Sequence, residues 1–240
     1  MTFYLIGLGL NENSISAEAL NIMKNCGEVY LESYTVNFPY SLEELEEKLK
    51  TKIIKLKREE VENELILKGA KEKDIGLLVY GDALSATTHI QLILACKNQN
   101  IKYQIFHNSS IITAIAETGL QVYKFGKTAS MPNWKEHTNK PSSFINYIKE
   151  NQSIKAHTLL LTDIGLKIEE SINQLKEVLE KENLNIEKII AISNAGTKKQ
   201  KIFYDELKNL KEKNIQMPFC FIIPCELHFL EEEVLEKLKE

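Results

Sequence analysis

The stretch that most constrains this chain is Gly76–His89, Gly-Leu-Leu-Val-Tyr-Gly-Asp-Ala-Leu-Ser-Ala-Thr-Thr-His. Leu77–Tyr80 is an apolar run of the length of a buried strand. Gly81 ends it, because a residue without Cβ can turn where another side chain would clash. Asp82 adds a carboxylate, and Ser85, Thr87 and Thr88 supply hydroxyls able to cap the apolar-periodic segment Ile90–Cys96. A strand, an acid-bearing glycine turn and a helix start form the corner at which open α/β sheets hold ligands. Read locally, the same residues also describe an ordinary loop with a surface aspartate. The rest of the chain decides between the two.

With 240 residues, 43% of them hydrophobic, the chain can fill one large or two small domains. Phe3–Ile6 predicts a first strand, closed by Gly7-Leu8-Gly9-Leu10. Two glycines so spaced let the backbone approach a ligand. The third glycine of a dinucleotide fingerprint is missing, since Asn11-Glu12 follow, and an NAD site is not expected. Ser14 or Ser16 can cap a helix through Leu20, Ile22 and Met23, ending near Cys26-Gly27 with the glycine as its C′ residue. Val29–Leu31 predicts a strand. Ser41-Leu42-Glu43-Glu44 has capping-box spacing and opens a helix with an acidic, solvated face. A short strand at Ile53-Ile54 and a helix over Val61–Leu67 precede the corner. After it come a strand at Tyr103–Phe106 and the polar His107-Asn108-Ser109-Ser110 at the helix start Ile111-Ile112, where N–H groups suit a polar or anionic group. Such alternation implies a mostly parallel sheet covered by helices.

The second half repeats the alternation. Gly119–Gly126 reads as strand-like, and Thr128–Ser142, holding Pro132, Trp134 and Pro141, as a long exposed loop after the crossing between domains. Helices are predicted over Phe144–Lys149, Ile168–Leu179, Tyr204–Leu210 and Leu230–Leu238, with strands at Thr158–Leu161, Ile189–Ile192 and Phe219–Ile223. The expected domains are 1–112 and 113–240. Polar residues at successive strand ends, Asp163, Ser193–Thr197 and Pro224–His228, point to one crevice along the sheet edge.

Apolar runs such as Phe219–Ile223 are far too short to cross a bilayer, and no basic-then-apolar start is present, so a cytoplasmic protein without membrane attachment is expected. Cys26, Cys96, Cys220 and Cys225 form no Cys-x-x-Cys pair and read as reduced core thiols, with no metal site. The net charge of −4 argues against a nucleic-acid partner. Walker, Gly-x-Ser-x-Gly and His-Glu-x-x-His motifs are absent, and the five histidines are scattered, so no catalytic residue can be named. A site without an evident nucleophile or metal fits group transfer from a reactive cofactor that the protein binds and orients.

Six segments run in order from residue 3 to about 233: Ile6-Gly-Leu-Gly-Leu10, Gly81-Asp82-x-x-x-Ala86-Thr87-Thr88-His89, Tyr123-Lys124-Phe125-Gly126-Lys127, His157-Thr158-Leu159-Leu160-x-x-Asp163-Ile164, Gly196-x-x-x-Gln200-Lys201-Ile202 and Leu227-His228. In these the chain resembles the diphthine synthase family, S-adenosylmethionine methyltransferases of the tetrapyrrole-methylase fold. The resemblance implies two α/β domains of the tetrapyrrole methylase type with the cofactor cleft between them, and a homodimer. It implies methylation of the amino group of a modified histidine on translation elongation factor 2, in diphthamide biosynthesis, with S-adenosyl-L-homocysteine as product. Carried over by position, cofactor contacts fall on Leu10, Asp82, Ser85, Ser110, Ile111, Thr162, Tyr204 and His228, part of them through backbone groups. Asp82 is expected to orient the cofactor and offset its sulfonium charge, and His228 to close the cleft from the second domain.

The chain departs from the family at Ala83, where proline is usual, at Ser85 and Thr162, usually apolar, and at Tyr204-Asp205, usually small; the segment after Asp163-Ile164 is also short. The alternatives are a tetrapyrrole or ribosomal RNA methyltransferase of the same fold, or a degenerate binding protein. The acidic charge opposes RNA, and the Ala-Thr-Thr-His and Tyr-Lys-Phe-Gly-Lys runs oppose a tetrapyrrole.

Overall fold

In the structure, a computed structural model that describes residues 1–238, the chain divides into a unit Met1–Ile111 and a second from Ile112 onward. The last two residues of the expected second domain lie outside the described residues.

The first unit runs β1 (Thr2–Gly7), α1 (Ala17–Met23), β2 (Glu28–Glu32), α2 (Leu42–Leu49), β3 (Ile54–Leu56), α3 (Arg58–Glu62), α4 (Leu65–Gly69), β4 (Ile75–Val79), α5 (Ile90–Asn98) and β5 (Lys102–Phe106). Its five strands lie in the order β3-β2-β4-β1-β5, all parallel. The central strand β4 is buried along its whole length, which is why it is a continuous apolar run rather than an alternating one. Leu77, Leu78 and Val79 expose nothing, and each such side chain contributes about 1.5–3 kcal/mol of burial. Because the strands are parallel, their C-terminal ends share one edge of the sheet.

The second unit begins within α6 (Ile111–Ala114) and contains β6 (Ala129–Met131), α7 (Phe144–Ser153), β7 (Thr158–Thr162), α8 (Ile168–Lys181), β8 (Ile189–Ser193), β9 (Lys201–Asp205), α9 (Leu207–Leu210), β10 (Phe219–Ile223) and α10 (Phe229–Lys237). The sheet order is β6-β7-β10-β8-β9, around a core that includes Phe144, Ile148, Leu160, Leu175 and Phe221. Only β6 and β7 pair in parallel; β10 is antiparallel to both β7 and β8, and β9 to β8.

The α/β class and the two helix-covered sheets agree with the sequence reading, and the differences have local causes. The helix α1 ends at Met23, and Gly27 is no left-handed cap: its N–H donates to the Asp74 carbonyl on the way into β2. Val61–Leu67 is two short helices, broken where Glu64 takes a left-handed conformation. No hydroxyl caps α5, whose N-cap is His89; the Ser85 hydroxyl donates to Asp82 and the Thr87 hydroxyl to the Ala83 carbonyl. Gly119–Gly126 is no strand but a tight turn over Val122–Lys124. Its backbone groups go elsewhere: the Gln121 N–H to the Glu231 carboxylate and the Gly126 N–H to the His157 carbonyl. The expected loop 128–142 holds β6, and Trp134 packs on the core while its indole N–H donates to the Pro141 carbonyl. Tyr204 lies in a strand, β9, because Ile202, Phe203 and Tyr204 are strand formers and the helical spacing of Leu207 and Leu210 begins after them. All four cysteines are free thiols.

Candidate functional site

The parallel edge of the first unit gathers the ends of β1, β4 and β5 into one corner. Gly9 and Gly81 exchange N–H···O bonds, both 2.9 Å, in an isolated antiparallel bridge. Both have positive φ, +74° and +76°. A Cβ on Gly9 would lie 2.4 Å from that of Ser14 and 2.9 Å from Asn108 Oδ1, so only glycine lets the loop after β1 fold this closely on itself and on the segment after β5. Asn108 completes the join, donating from Nδ2 to the carbonyls of Gly7 and Ser14 at 3.0 and 2.9 Å.

Asp82 sits at the centre of the corner, 7% exposed. Its Oδ1 accepts from the N–H groups of Leu84 and Ser85 and from the Ser85 hydroxyl, each at 3.0 Å. Its Oδ2 accepts from His107 Nδ1 at 2.8 Å and the Asn108 N–H at 3.0 Å. Burial pushes the carboxyl pKa up, but the Leu84 and Asn108 amides, His107 and Ser85 outweigh it and hold the pKa below its ordinary value. Five donors occupy two oxygens, so the carboxylate acts as a charged brace between the β4 and β5 loops and not as a base.

Behind the corner, His89 is 1% exposed, its Nδ1 3.3 Å from the Ala83 carbonyl and its Nε2 3.9 Å from the Glu32 carboxylate. Burial lowers the His89 pKa against the pull of Glu32.

In the second unit, polar groups converge on Glu231 in the first turn of α10. Its Oε1 accepts from the Gln121 N–H at 2.8 Å and faces His157 Nε2 at 3.3 Å. Its Oε2 accepts from the Lys124 ammonium and, at 2.7 Å, from the His228 N–H. The Cys225 N–H donates to His157 Nδ1 at 2.9 Å, which assigns the ring proton to Nε2 and its hydrogen bond to Glu231. Burial raises the Glu231 pKa, but the Gln121 and His228 amides, Lys124 and His157 bring it down to about 2. Burial also keeps the His157 pKa below normal. Lys124, His157 and His228 belong to three separate segments of the sequence; Glu231 is what joins them.

Residues 2–211 match the family described as Tetrapyrrole (Corrin/Porphyrin) Methylases. The chain belongs to this family. Within it, diphthine methyl ester synthase of Schizosaccharomyces pombe is 36% identical over 97% of this chain and 93% of its own length. Diphthine synthase of Methanocaldococcus jannaschii is 38% identical over 98% of both chains. A crystal structure of diphthine synthase, 33% identical, covers 100% of this chain and 96% of its own with a TM-score of 0.89. This tetrapyrrole methylase is therefore a methyltransferase of the diphthine synthase group.

In the methylase, five of the residues expected at the cofactor lie in the first-unit corner or at its margin. Leu10 follows the Gly9 bridge, and its carbonyl accepts from the Tyr80 hydroxyl at 3.0 Å. Asp82 and Ser85 are bonded to each other. Ser110, 6% exposed, follows the Asn108 clamp, and Ile111 begins α6. The other three do not share one sheet edge. Thr162 ends β7 and donates to the Phe219 carbonyl at 2.6 Å, whereas His228 follows β10, which runs the opposite way. Tyr204, on the edge strand β9, is three ladders from β7, about 14 Å. The single crevice expected from successive strand ends fails for the same reason. Asp163 and Ser193–Thr197 lie at one edge of the sheet, Pro224–His228 at the other.

Sequence reasoning missed Glu231, and it read His107 and Asn108 as a polar helix start without their bonds to Asp82 and to the Gly7 and Ser14 carbonyls. The spacing of Glu231, three residues after His228, was the available signal: the structure forms a capping box there, with the His228 ring accepting from the Leu230 N–H. Among the described residues no cluster of His, Cys, Asp and Glu could hold a metal ion.

Proposed function

We propose that this chain uses S-adenosylmethionine to methylate the amino group of a modified histidine on translation elongation factor 2, in diphthamide biosynthesis, as a cytoplasmic homodimer. The observation that carries the reading is the match to diphthine synthases along nearly the full length of both chains. Corner chemistry supports the cofactor. Asp82 is a buried negative charge with its acceptor positions already engaged, so it favours a nearby cation through its field without removing a proton. Leu10, Asp82, Ser85, Ser110 and Ile111 are the first-unit residues that would hold the cofactor, with Thr162, Tyr204 and His228 from the second. When bound, S-adenosylmethionine supplies a methyl group already activated on a sulfonium. The protein's part is then alignment: a neutral amine needs in-line placement more than acid–base help.

A second reading, methylation of a carboxylate of the same side chain, is favoured by the name of the S. pombe relative, diphthine methyl ester synthase. Calorimetric titration with S-adenosylhomocysteine, followed by mass analysis of elongation factor 2 before and after mild base, tests both. Saturable binding and base-stable methyl groups support the amine reading; a methyl group released by base adds the ester. Absence of S-adenosylhomocysteine binding refutes the methyltransferase reading, and sedimentation of the protein tests the dimer.

A further inference from the structure

The corner holds one group whose bonding is only half used. His107 follows β5, and the backbone after it is fixed from several sides. The Asn108 N–H donates to Asp82 Oδ2 at 3.0 Å, the Asn108 side chain clamps the Gly7 and Ser14 carbonyls, and the Ser109 N–H returns to Asn108 Oδ1 at 2.8 Å. The ring is held as firmly. Its Nδ1 lies 2.8 Å from Asp82 Oδ2, and because an ionised carboxylate only accepts, Nδ1 carries the proton. In the neutral ring this leaves a lone pair on Nε2. That nitrogen has no partner among the described residues, and the side chain is 67% exposed.

Three histidines stand beside carboxylates among the described residues. Two of them, His89 and His157, are sealed at 1% and 0% exposure, so neither can meet a substrate. Only His107 joins a buried charge to an accessible ring nitrogen. A carboxylate that fixes the tautomer of an imidazole and steadies the imidazolium turns that histidine into a proton acceptor. Asp82, with both oxygens engaged, can do this without taking the proton itself.

In-line placement serves an amine that is already neutral. Alkyl amino groups titrate from about 8 to about 10, so near pH 7 the acceptor arrives chiefly as ammonium, without the lone pair that attacks. We propose that His107 is the general base of the transfer, its Nε2 taking a proton from the acceptor ammonium while Asp82 holds its Nδ1–H. This rests on the amine reading given above. The proton moves from the ammonium nitrogen to Nε2. The freed lone pair then forms the N–C bond to the methyl as the S–C bond breaks, its electron pair staying on sulfur. The imidazolium returns the proton to water through its exposed face. His107 is bonded to Asp82 and lies three residues before Ser110, which puts this base at the margin of the residues expected at the cofactor. Its exposure leaves it open to an acceptor carried on another protein.

The experiment uses the full chain and two variants. In His107→Asn the side-chain Nδ2 takes the place of Nδ1 and keeps the bond to Asp82 but offers no base; His107→Ala loses both. Nitrogen NMR of the histidine rings in the parent is expected to show His107 protonated at Nδ1 and bare at Nε2 in its neutral form, and the opposite tautomer overturns the proposal. S-adenosylhomocysteine affinity and Tm should be parental in His107→Asn and lower in His107→Ala, which separates bracing from catalysis. For methyl transfer to elongation factor 2, kcat/KM of His107→Asn should fall about tenfold or more at pH 7, with the gap narrowing at pH 9 as the amine loses its own proton. Parental activity at pH 7, or a loss equal at both pH values, overturns the base and leaves His107 as a donor to Asp82. A parent that fails to bind S-adenosylhomocysteine, or that yields only base-labile methyl groups, overturns the amine reading and the base with it. A parent that binds and gives base-stable methyl groups confines any failure in His107→Asn to the base.

Discussion

At Asp82 the number of donors decides what a substitution does. Asp82→Asn keeps the shape but turns one acceptor oxygen into an N–H₂ that faces either the Leu84 and Ser85 amides or His107 and the Asn108 amide. Losing charge-assisted bonds costs about 1.5–3 kcal/mol, a fall in Tm of several degrees for a chain of this length. S-adenosylhomocysteine affinity should fall with it, because the β4 and β5 loops lose their common brace. Thermal unfolding and calorimetry of Asp82→Asn check both; an unchanged Tm would refute the brace. The acid and its glycine were legible in the sequence because turn chemistry is local. The contact of His107, 25 residues away, with Asp82 was not, since only the parallel pairing of the sheet brings the two together.

Among elements, those with one dominant physical signal were legible and those settled by tertiary contacts were not. The capping box of α2 forms at Ser41 and Glu44 as its spacing requires, and the apolar runs of β4 and β10 are buried throughout. The direction of β10 was not legible, because a buried apolar run reads the same in either orientation. The helix α10 depends most on distant partners: Glu231 ties its first turn to Gln121, Lys124 and His157. Glu231→Gln leaves the Lys124 ammonium without its carboxylate in a mostly buried place. The expected loss is about 3 kcal/mol, seen as a lower urea midpoint with faster hydrogen exchange at the Gln121 and His228 amides. A midpoint within error of the parent would mean that Glu231 only caps its own helix.

Across the molecule, strand–helix alternation was enough to announce two α/β sheets, yet it could not show that one is all parallel and the other mainly antiparallel. What the two units share is a buried histidine beside a buried carboxylate, His89 with Glu32 and His157 with Glu231. The sign of the resulting pH dependence follows from the shifts. Both histidines have folded pKa values below the unfolded value, lowered chiefly by burial, so below about pH 6.5 the unfolded chain binds more protons. Their contribution is complete above that pH and is lost as pH falls through the folded values. Asp82 and Glu231 are also depressed, and their contribution is lost in a lower window, for Glu231 from 4.5 down to about 2. That drop corresponds to on the order of 3 kcal/mol for Glu231 at neutral pH. Urea unfolding in steps from pH 8 to 4 should therefore show a plateau, a decline that begins near pH 6.5 and a steeper one below about 4.5. In His157→Gln the first decline should shrink without vanishing, because His89 remains. A stability that is flat or rising between pH 7 and 5 would show that neither histidine is held neutral by its burial.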